Sequence, residues 1–427
     1  MKKALFLMLL PLLMACSNET DGPQQEDPDN KPNDKVVAED VEPLPTLKSI
    51  DVSADEKEVL NALMEVSFDI NSSLAQQLEL SHIENNNSNY CLSPISIVAC
   101  MSLIANSLDS PKKEEMVKML GCDNIEELNM LNKKLLQYLP APENGVDMRI
   151  ANSTWYHNGL SVTDAYRNLM ADNFGAPVYG RNFKDIATPA EMDSWIEKNT
   201  NGMIKDIIKG IPNSIMIMWI NAMYFEGCWS RKFDVANTTK ATFNGTNGES
   251  TVEMMKKTEV MEYAETMGLK MVSIPFKGEN YYLDIILPTD DQNDVTTLLN
   301  TERYKALIND QENHKINLEL PKFKQEMTAD LSTVLTSMGM PHHDLRFTGI
   351  GFPENYVYNN IDVLHAAKFE VDENGAKAAA VTVSTVTSTG EEPEYKEIDM
   401  VVDRPFFYII RNHRTGALVM MGNVKNL

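Results

Sequence analysis

The spacing of apolar residues divides the chain into a helical first third and a strand-rich remainder. From Leu60 to Leu78, leucine and isoleucine recur at helical intervals behind Ser53-Ala-Asp-Glu56, which has the form of a capping box. Between Ser96 and Ala105 the only polar side chain type is serine, which predicts a buried helix. Helices therefore dominate the early part of the chain.

The later part alternates in the way that strands do. Residues 215–220 form a continuous apolar run, residues 316–320 alternate with period two, and residues 270–274 and 281–287 flank a polar turn. Near the end, residues 406–410 and 417–421 are joined by a polar turn that ends in glycine, which predicts a hairpin. Early helices followed by antiparallel strands predict an α+β fold rather than a doubly wound parallel sheet.

One composition change marks a domain boundary. Residues 17–52 are rich in Asp, Glu, Asn, Gln and Pro and contain few apolar clusters, so segment 16–52 is predicted to be a flexible acidic tether. From residue 53 to residue 427 there is no second linker and no internal repeat. This predicts one folded domain of about 370 residues.

The first 16 residues have the pattern of an export signal. Lys2 and Lys3 precede an apolar run that is too short to span a bilayer, and Ala15 precedes Cys16. The end of this segment resembles the lipobox of bacterial lipoproteins, which implies a signal peptide at 1–15 and a lipid on Cys16. The acidic stretch that follows resembles surface-export signals of Bacteroidetes lipoproteins, so we expect attachment at the outer membrane, facing outward. The alternative is a secreted protein with a free Cys16.

Charge and cysteine content narrow the possible partners. With 62 acidic and 38 basic residues the formal charge is −24, which repels phosphate backbones and excludes nucleic acid as an expected partner. Cys91, Cys100, Cys122 and Cys228 show no metal-ligand spacing and mostly lie in or beside apolar runs, so we expect buried free thiols.

Motifs for catalysis are missing from the sequence. His-Glu-x-x-His, Gly-x-Ser-x-Gly and a glycine-rich phosphate loop do not occur. Ser110-Pro-Lys-Lys113 matches Ser-x-x-Lys without its partner motifs, and the His342-His343 pair has no accompanying ligands. We therefore expect neither an enzyme nor a bound metal or cofactor.

The most unusual segment runs from Glu373 to Thr389. After Lys377 it contains three consecutive alanines and then eight residues of which only two are not β-branched, and Gly390 to Pro393 end it. Exposed permanently, such an uncharged, strand-prone segment would promote aggregation. One explanation is that it is exposed in one state and forms a strand of a sheet in another; the alternative is a permanent strand.

Five blocks in order give the chain a resemblance to the serpin family, from about Glu56 to Leu427. They are Asn89 to Ile97, Asn221 to Asp234, Leu320 to Leu331, the hinge block Val371 to Gly375 with His365 ahead of it, and Arg404 to Gly422. The resemblance implies helices packed on three largely antiparallel sheets, with an exposed reactive-centre loop at about 373–400. It also implies that a target serine protease, with a papain-like cysteine protease as a further candidate, cleaves the loop and is trapped as an acyl-enzyme while the loop inserts into the central sheet. We expect the inhibitor to act as a monomer.

The resemblance assigns the hinge and the cleaved bond. Small residues are needed where the inserting strand faces inward, and the hinge residues are Glu373, Gly375, Ala376, Ala378, Ala379 and Ala380. Ala376 departs from the usual threonine or serine, and Lys377 from the usual glutamate. Counting from Glu373 places the cleaved bond at Thr389-Gly390, with Ser388, Glu391 and even Lys396 as alternatives. A small residue before the bond favours elastase-like or subtilisin-like proteases.

A polar cluster that controls sheet opening is implied at Ser93, Ser96, Asn221 and His365, with Trp229 where insertion begins. The alternative for these residues is an ordinary core role. Two other functions stay open at this stage: a noninhibitory serpin that acts as carrier or chaperone, and a surface lipoprotein that binds glycan or host protein.

Overall fold

The first third of the chain is mainly helical and the remainder is rich in strands, as the apolar pattern predicts. The computed structural model describes residues 41, 44–80, 89–140, 146–290, 294–352, 361–376 and 394–427. The helices are α1 Ala54–Leu80, α2 Pro94–Ser107, α3 Ser110–Met119, α4 Ile125–Tyr138, α5 Asp164–Phe174, α6 Ala187–Asn199, α7 Val295–Leu298, α8 Thr301–Asn309 and α9 Ser332–Ser337. The strands are β1 Tyr90–Leu92, β2 Val146–His157, β3 Ser161–Val162, β4 Val178–Arg181, β5 Ile217–Cys228, β6 Thr239–Gly245, β7 Gly248–Thr266, β8 Leu269–Pro275, β9 Tyr281–Pro288, β10 Glu312–Pro321, β11 Phe323–Asp330, β12 Ile350–Gly351, β13 Val363–Asp372, β14 Gly375–Ala376, β15 Glu397–Val401, β16 Phe406–Asn412 and β17 Leu418–Val424.

The strands of the described residues form three sheets. The largest has nine strands in the order β1-β17-β16-β9-β8-β7-β10-β15, with β6 paired to β7. The second has six strands in the order β11-β13-β14-β5-β2-β4, and β12 pairs with β3 in a small third sheet. Parallel neighbours occur at β10 with β15, at β13 with β5 and at β2 with β4, and the remaining ladders are antiparallel. The α+β prediction is confirmed.

Helix α2 forms the centre of the core. Every one of its residues from Pro94 to Ser107 is buried, and it contacts β5 of the six-stranded sheet and β17 of the nine-stranded sheet. In a helix buried on all sides each polar group needs a partner inside the protein, and Ser102 finds one locally by donating to the Val98 carbonyl at 2.8 Å.

The N-terminal end of the folded region begins with the capping box predicted from the sequence. The Ser53 main-chain N–H donates to Glu56 at 2.8 Å, and the Glu56 N–H donates to the Ser53 hydroxyl at 3.2 Å. Packing nevertheless begins before Ser53: Ile50 is buried, and the Leu47 N–H donates to the Gln137 carbonyl at 2.9 Å. Residues 44–52 are thus part of the packed region rather than of the predicted tether, because their few apolar side chains find partners that only the fold supplies.

The described helices contain no segment long and apolar enough to cross a membrane. Cys91, Cys100 and Cys122 are buried and Cys228 is half-buried, and none of the four forms a disulfide. Burial raises the pKa of Cys100 to about 12, so this thiol stays protonated and unreactive at neutral pH.

Candidate functional site

The six-stranded sheet is closed along part of its centre and split at one end. Strands β5 and β13 pair in parallel over six positions, from Trp219 with Val363 to Tyr224 with Lys368. Beyond these positions the two strands separate, and the short strand β14 lies between them. Ala376 pairs with Gly227 on one side and with Val371 on the other, both antiparallel. The predicted hinge thus begins as a strand inside the sheet.

Gly375 is the residue that allows this entry. Its φ is +145°, and an added Cβ would lie 2.0 Å from the Gly227 carbonyl oxygen and 2.8 Å from the Cys228 Cα. Both are main-chain atoms, which cannot rotate away as a side chain does. Only glycine fits, and Ala376 beyond it is 1% exposed.

A tight turn holds the chain just before the split. The Asp372 carboxylate accepts the main-chain N–H groups of Asn374 at 2.7 Å and Gly375 at 3.2 Å. Trp229, which is 2% exposed, donates its indole N–H to the Asp372 carbonyl and its main-chain N–H to the Asn374 carbonyl, both at 2.9 Å. Its ring stacks on Phe276 with centroids 4.7 Å apart. Trp229 therefore holds the turn at the point where β14 begins.

The Glu373 side chain joins the same turn to the residue between β10 and β11 and to the residue just before β6. Its carboxylate accepts from Lys322 at 2.9 Å and from the Thr238 hydroxyl at 2.8 Å. Burial alone would raise the pKa of Glu373, but these hydrogen bonds and the Lys322 charge together lower the pKa below its ordinary value. The same carboxylate raises the pKa of Lys322, which also contacts Glu253 at 3.2 Å.

A buried polar cluster lies under the closed part of the sheet. Asn221 accepts from the Ser96 hydroxyl at 2.6 Å and donates to the Ser96 carbonyl at 2.9 Å. Its Oδ1 lies 3.0 Å from His365 Nδ1 across the β5–β13 pairing. The Ser93 N–H donates to His365 Nε2 at 3.1 Å, and the Ser93 hydroxyl donates to the Val419 carbonyl at 2.7 Å. The structure thus brings together all four residues that the sequence assigned to this cluster.

His365 is neutral in this setting. It is fully buried, and desolvation lowers its pKa to about 3. A neutral ring with an acceptor at Nε2 must carry its proton on Nδ1, where it donates to Asn221. The hydrogen bond between β13 and β5 therefore depends on one tautomer.

Asn152 is a member of the cluster that sequence reasoning missed. It lies opposite Asn221 on the neighbouring strand β2, is 3% exposed, and accepts from Asn221 Nδ2 at 2.7 Å. Asparagine within the strand-like segment before Ser153-Thr154-Trp155 is an unusual residue for a strand interior, and that was the available signal.

The opposite face of the closed pairing is held by Lys368. Its ammonium donates to the Met203 carbonyl at 3.0 Å and contacts Glu326 at 3.3 Å. Met203 belongs to the connection between α6 and β5. Lys368 sits in the last closed pair before the split, so this contact joins that connection to the edge of the split.

The family comparison agrees with this arrangement. A model of the family described as "Serpin (serine protease inhibitor)" matches residues 69–427. The chain belongs to the serpin family. Among curated proteins, this serpin is 29% identical to an uncharacterized serpin-like protein of Thermococcus kodakarensis, over 99% of this chain and 98% of the relative. It is 30% identical to Serpin-Z10 of Arabidopsis thaliana, over 79% of this chain and 92% of the relative.

Solved structures have the same fold. The thermophilic serpin tengpin in its native state superposes with a TM-score of 0.76 at 27% identity, covering 90% of this serpin and 97% of tengpin. Human thyroxine-binding globulin, solved in complex with thyroxine, superposes with a TM-score of 0.75 at 21% identity, covering 86% and 99% of the two chains. Serpins are in general protease inhibitors rather than catalysts. The second likeness concerns the fold alone.

Several predicted site residues of the serpin lie outside the described residues. These are Cys16, Ala378, Ala379, Ala380, Ser388, Thr389, Gly390 and Glu391. His342 and His343 are described, and their rings lie 3.9 Å apart. Within the described ranges no group of three or more His, Cys, Asp or Glu side chains is arranged to hold a metal.

Proposed function

We propose that this serpin is a suicide inhibitor that traps a serine protease as a covalent acyl-enzyme by inserting its cleaved reactive-centre loop into the six-stranded sheet. The supporting observation is that Gly375 and Ala376 already pair with both β5 and β13 at the split end of the sheet. The chain enters in the register that a longer inserted strand would keep.

That register defines the path of insertion. Residue 379 is three beyond Ala376, and Tyr224 and Lys368 are three before Gly227 and Val371, so all three would align. By the same step residue 384 would align with Trp219 and Val363. Residues 379–384 would therefore replace the whole parallel pairing of β5 with β13 by two antiparallel ladders, which gains hydrogen bonds.

The side chains suit this path. Residues an even number of positions from Ala376 share its buried face, and Ala378, Ala380, Thr382 and Ser384 are all small. Lys377 falls on the other face. Thr382 would align between Asn221 and His365, so its hydroxyl would take over from the hydrogen bond that insertion breaks.

The chemistry of trapping belongs to the protease. Its nucleophile attacks the carbonyl of the cleaved bond and forms an acyl-enzyme, while the new amine leaves. Insertion then carries the attached protease away from its docking position. Deacylation stalls because the triad and oxyanion hole need close alignment, and the serpin itself supplies no catalytic group.

The test is the formation of an SDS-stable complex with an elastase-like or subtilisin-like protease. Ala378→Pro should be cleaved without forming that complex, because proline cannot join the ladders, whereas the matched control Ala378→Ser should still form it. The loop-cleaved wild type should also melt at a much higher temperature than the intact protein. Cleavage without complex or thermal gain in the wild type would instead support a carrier, a chaperone or a surface-binding lipoprotein.

We place the cleaved bond at Thr389-Gly390, with Ser388 and Glu391 as the neighbouring alternatives. Lys396 is a poorer choice, because its carbonyl accepts from the Lys315 N–H at 3.0 Å next to β15 and is thereby held at the sheet edge. Mass spectrometry of the released C-terminal fragment identifies the bond. A fragment that begins after Glu391 would indicate a glutamyl-specific target.

We also propose that the domain is anchored at the outer membrane by a lipid on Cys16 and faces outward on its acidic N-terminal segment. Metabolic labelling with a fatty acid should modify the wild type and not Cys16→Ala. Protease digestion of intact cells should remove the domain from the surface; protection from digestion would place it on the inner leaflet.

A further inference from the structure

A cavity of about 540 Å³ lies beside β2. Strand β2 pairs with the edge of β5 that faces away from β13. Apolar side chains from three helices and two strands form most of its wall. Among them are Leu136, Met148, Ile150, Phe174, Tyr179 and Trp195. This size is in the range of sites that hold a small organic molecule.

One wall of the cavity is a part of the β2 edge with which no strand of the described residues pairs. Strand β4 pairs with β2 only from Thr154 to His157, and the Thr154 N–H donates outward to the Pro177 carbonyl at 2.9 Å. Because main-chain groups alternate in direction along a strand, Met148, Ile150 and Asn152 direct theirs to the same edge as Thr154. Among the described residues none bonds to these three N–H groups. The edge therefore offers a row of donors.

Asn152 adds an unused side-chain donor. The Ser96 carbonyl can only accept a hydrogen bond, so it fixes the orientation of the Asn221 amide, and Asn221 in turn fixes Asn152 with its oxygen toward Asn221. Asn152 Nδ2 is then left without a partner among the described residues, although the side chain is 97% buried and lines the cavity. An unsatisfied buried amide is destabilising, and an acceptor atom on a ligand would satisfy it.

The charges around the cavity favour an anion. Arg149 and Lys198 line it, and no Asp or Glu does so within the described ranges, although the chain as a whole carries a charge of −24. The nearest carboxylate to Arg149 is the exposed Asp147, at 3.6 Å. The two cationic side chains and the donors thus face a space whose wall is mostly apolar.

We propose that this cavity binds a free monocarboxylic acid with an aliphatic or aromatic body. The apolar body would occupy the space between α4, α5 and α6. The carboxylate would accept from the β2 edge and, once the atoms that cover Asn152 Nδ2 move slightly aside, from this amide as well. Arg149 and Lys198 would provide the positive charge. The site does not depend on protease trapping, so its test stands apart from that of the proposed function.

The experiment is calorimetric titration of the full domain with dodecanoate, with dodecan-1-ol as the uncharged analogue of equal length. We expect saturable 1:1 binding of the acid and at least about tenfold weaker binding of the alcohol. Lys198→Glu should weaken acid binding by about tenfold or more, because it reverses a charge at the cavity. The matched control Lys209→Glu, at an exposed lysine outside the cavity, should bind like the wild type.

Three outcomes would overturn the proposal. They are no saturable binding up to about 1 mM acid, equal weakening in both lysine variants, and binding only to anionic phospholipid vesicles rather than to the free acid. Arg149→Glu provides a second exposed variant if Lys198→Glu changes the melting temperature of the unliganded protein.

Discussion

The substitution Gly375→Ala tests whether the split end of the sheet has been interpreted correctly. A Cβ at this position would approach the Gly227 oxygen to 2.0 Å, and neither main-chain segment can yield while β5 stays paired. We therefore expect residues 375 and 376 to leave the sheet. The loss comprises the ladders of these two residues and the buried Ala376 methyl, about 2–4 kcal/mol at ~1 kcal/mol for each hydrogen bond and ~0.8 for the methyl group.

The matched control is Gly248→Ala. Gly248 has a φ of +118°, in the same disfavoured region, but an added Cβ there meets nothing within 4 Å. Its cost is the backbone strain alone, about 1–2 kcal/mol. Urea unfolding followed by tryptophan fluorescence measures both variants, and Trp229 next to the turn reports on the hinge directly. If Gly375→Ala is no more destabilising than Gly248→Ala, the argument from the main-chain clash is refuted.

Further substitutions test the contacts around the split. Glu373→Gln should lower the free energy of unfolding at neutral pH by about 1 kcal/mol. Because folding lowers the pKa of Glu373, the wild type is the more stable protein above the ordinary pKa of 4.5, and this difference is lost as the pH falls through the folded pKa. Urea midpoints of both proteins from pH 7 to pH 3 measure the difference. Asn221→Ala should cost about 2–4 kcal/mol, since it leaves His365 and Ser96 with buried, unpaired groups, and an equilibrium urea midpoint unchanged from wild type would contradict this. Lys368→Met should leave the fold intact but increase hydrogen exchange in the connection around Met203, and unchanged exchange there would show that the contact does not restrain it.

Local patterns were sufficient to predict several of the individual elements. The absence of any polar residue other than serine between Ser96 and Ala105 predicted the burial of α2, and the flanked polar turn predicted the antiparallel pair β8 and β9. The same patterns did not indicate which distant segments of the chain pair with each other. Nothing in the apolar pattern indicates that β13 pairs in parallel with β5, because that contact joins segments separated by more than a hundred residues along the chain.

The residues of the candidate site also fall into those that the sequence indicates and those that it does not. The hinge glycine and the small residues after it are visible in the sequence, and the family blocks point to Asn221 and His365. The Lys322 partner of Glu373 lies between β10 and β11, and the Asn152 partner of Asn221 lies on β2, so both became apparent only when the three-dimensional arrangement was known.

Because β14 has a fixed register with β5 and β13, the length of these strands determines how many loop residues an inserted strand needs to reach the far end of the sheet. Strand β5 has 12 residues, and counting from Gly375 opposite Cys228 brings residue 386 opposite Ile217, at the other end. A cut before residue 386 would leave a strand too short to reach that end and the protease incompletely displaced. A cut at Thr389 leaves three residues to spare, whereas each residue added beyond it lengthens the slack between the inserted strand and the trapped protease. If the loop inserts as we propose, the proteases that this serpin can hold are selected by distance along the loop as well as by the side chain they cleave after.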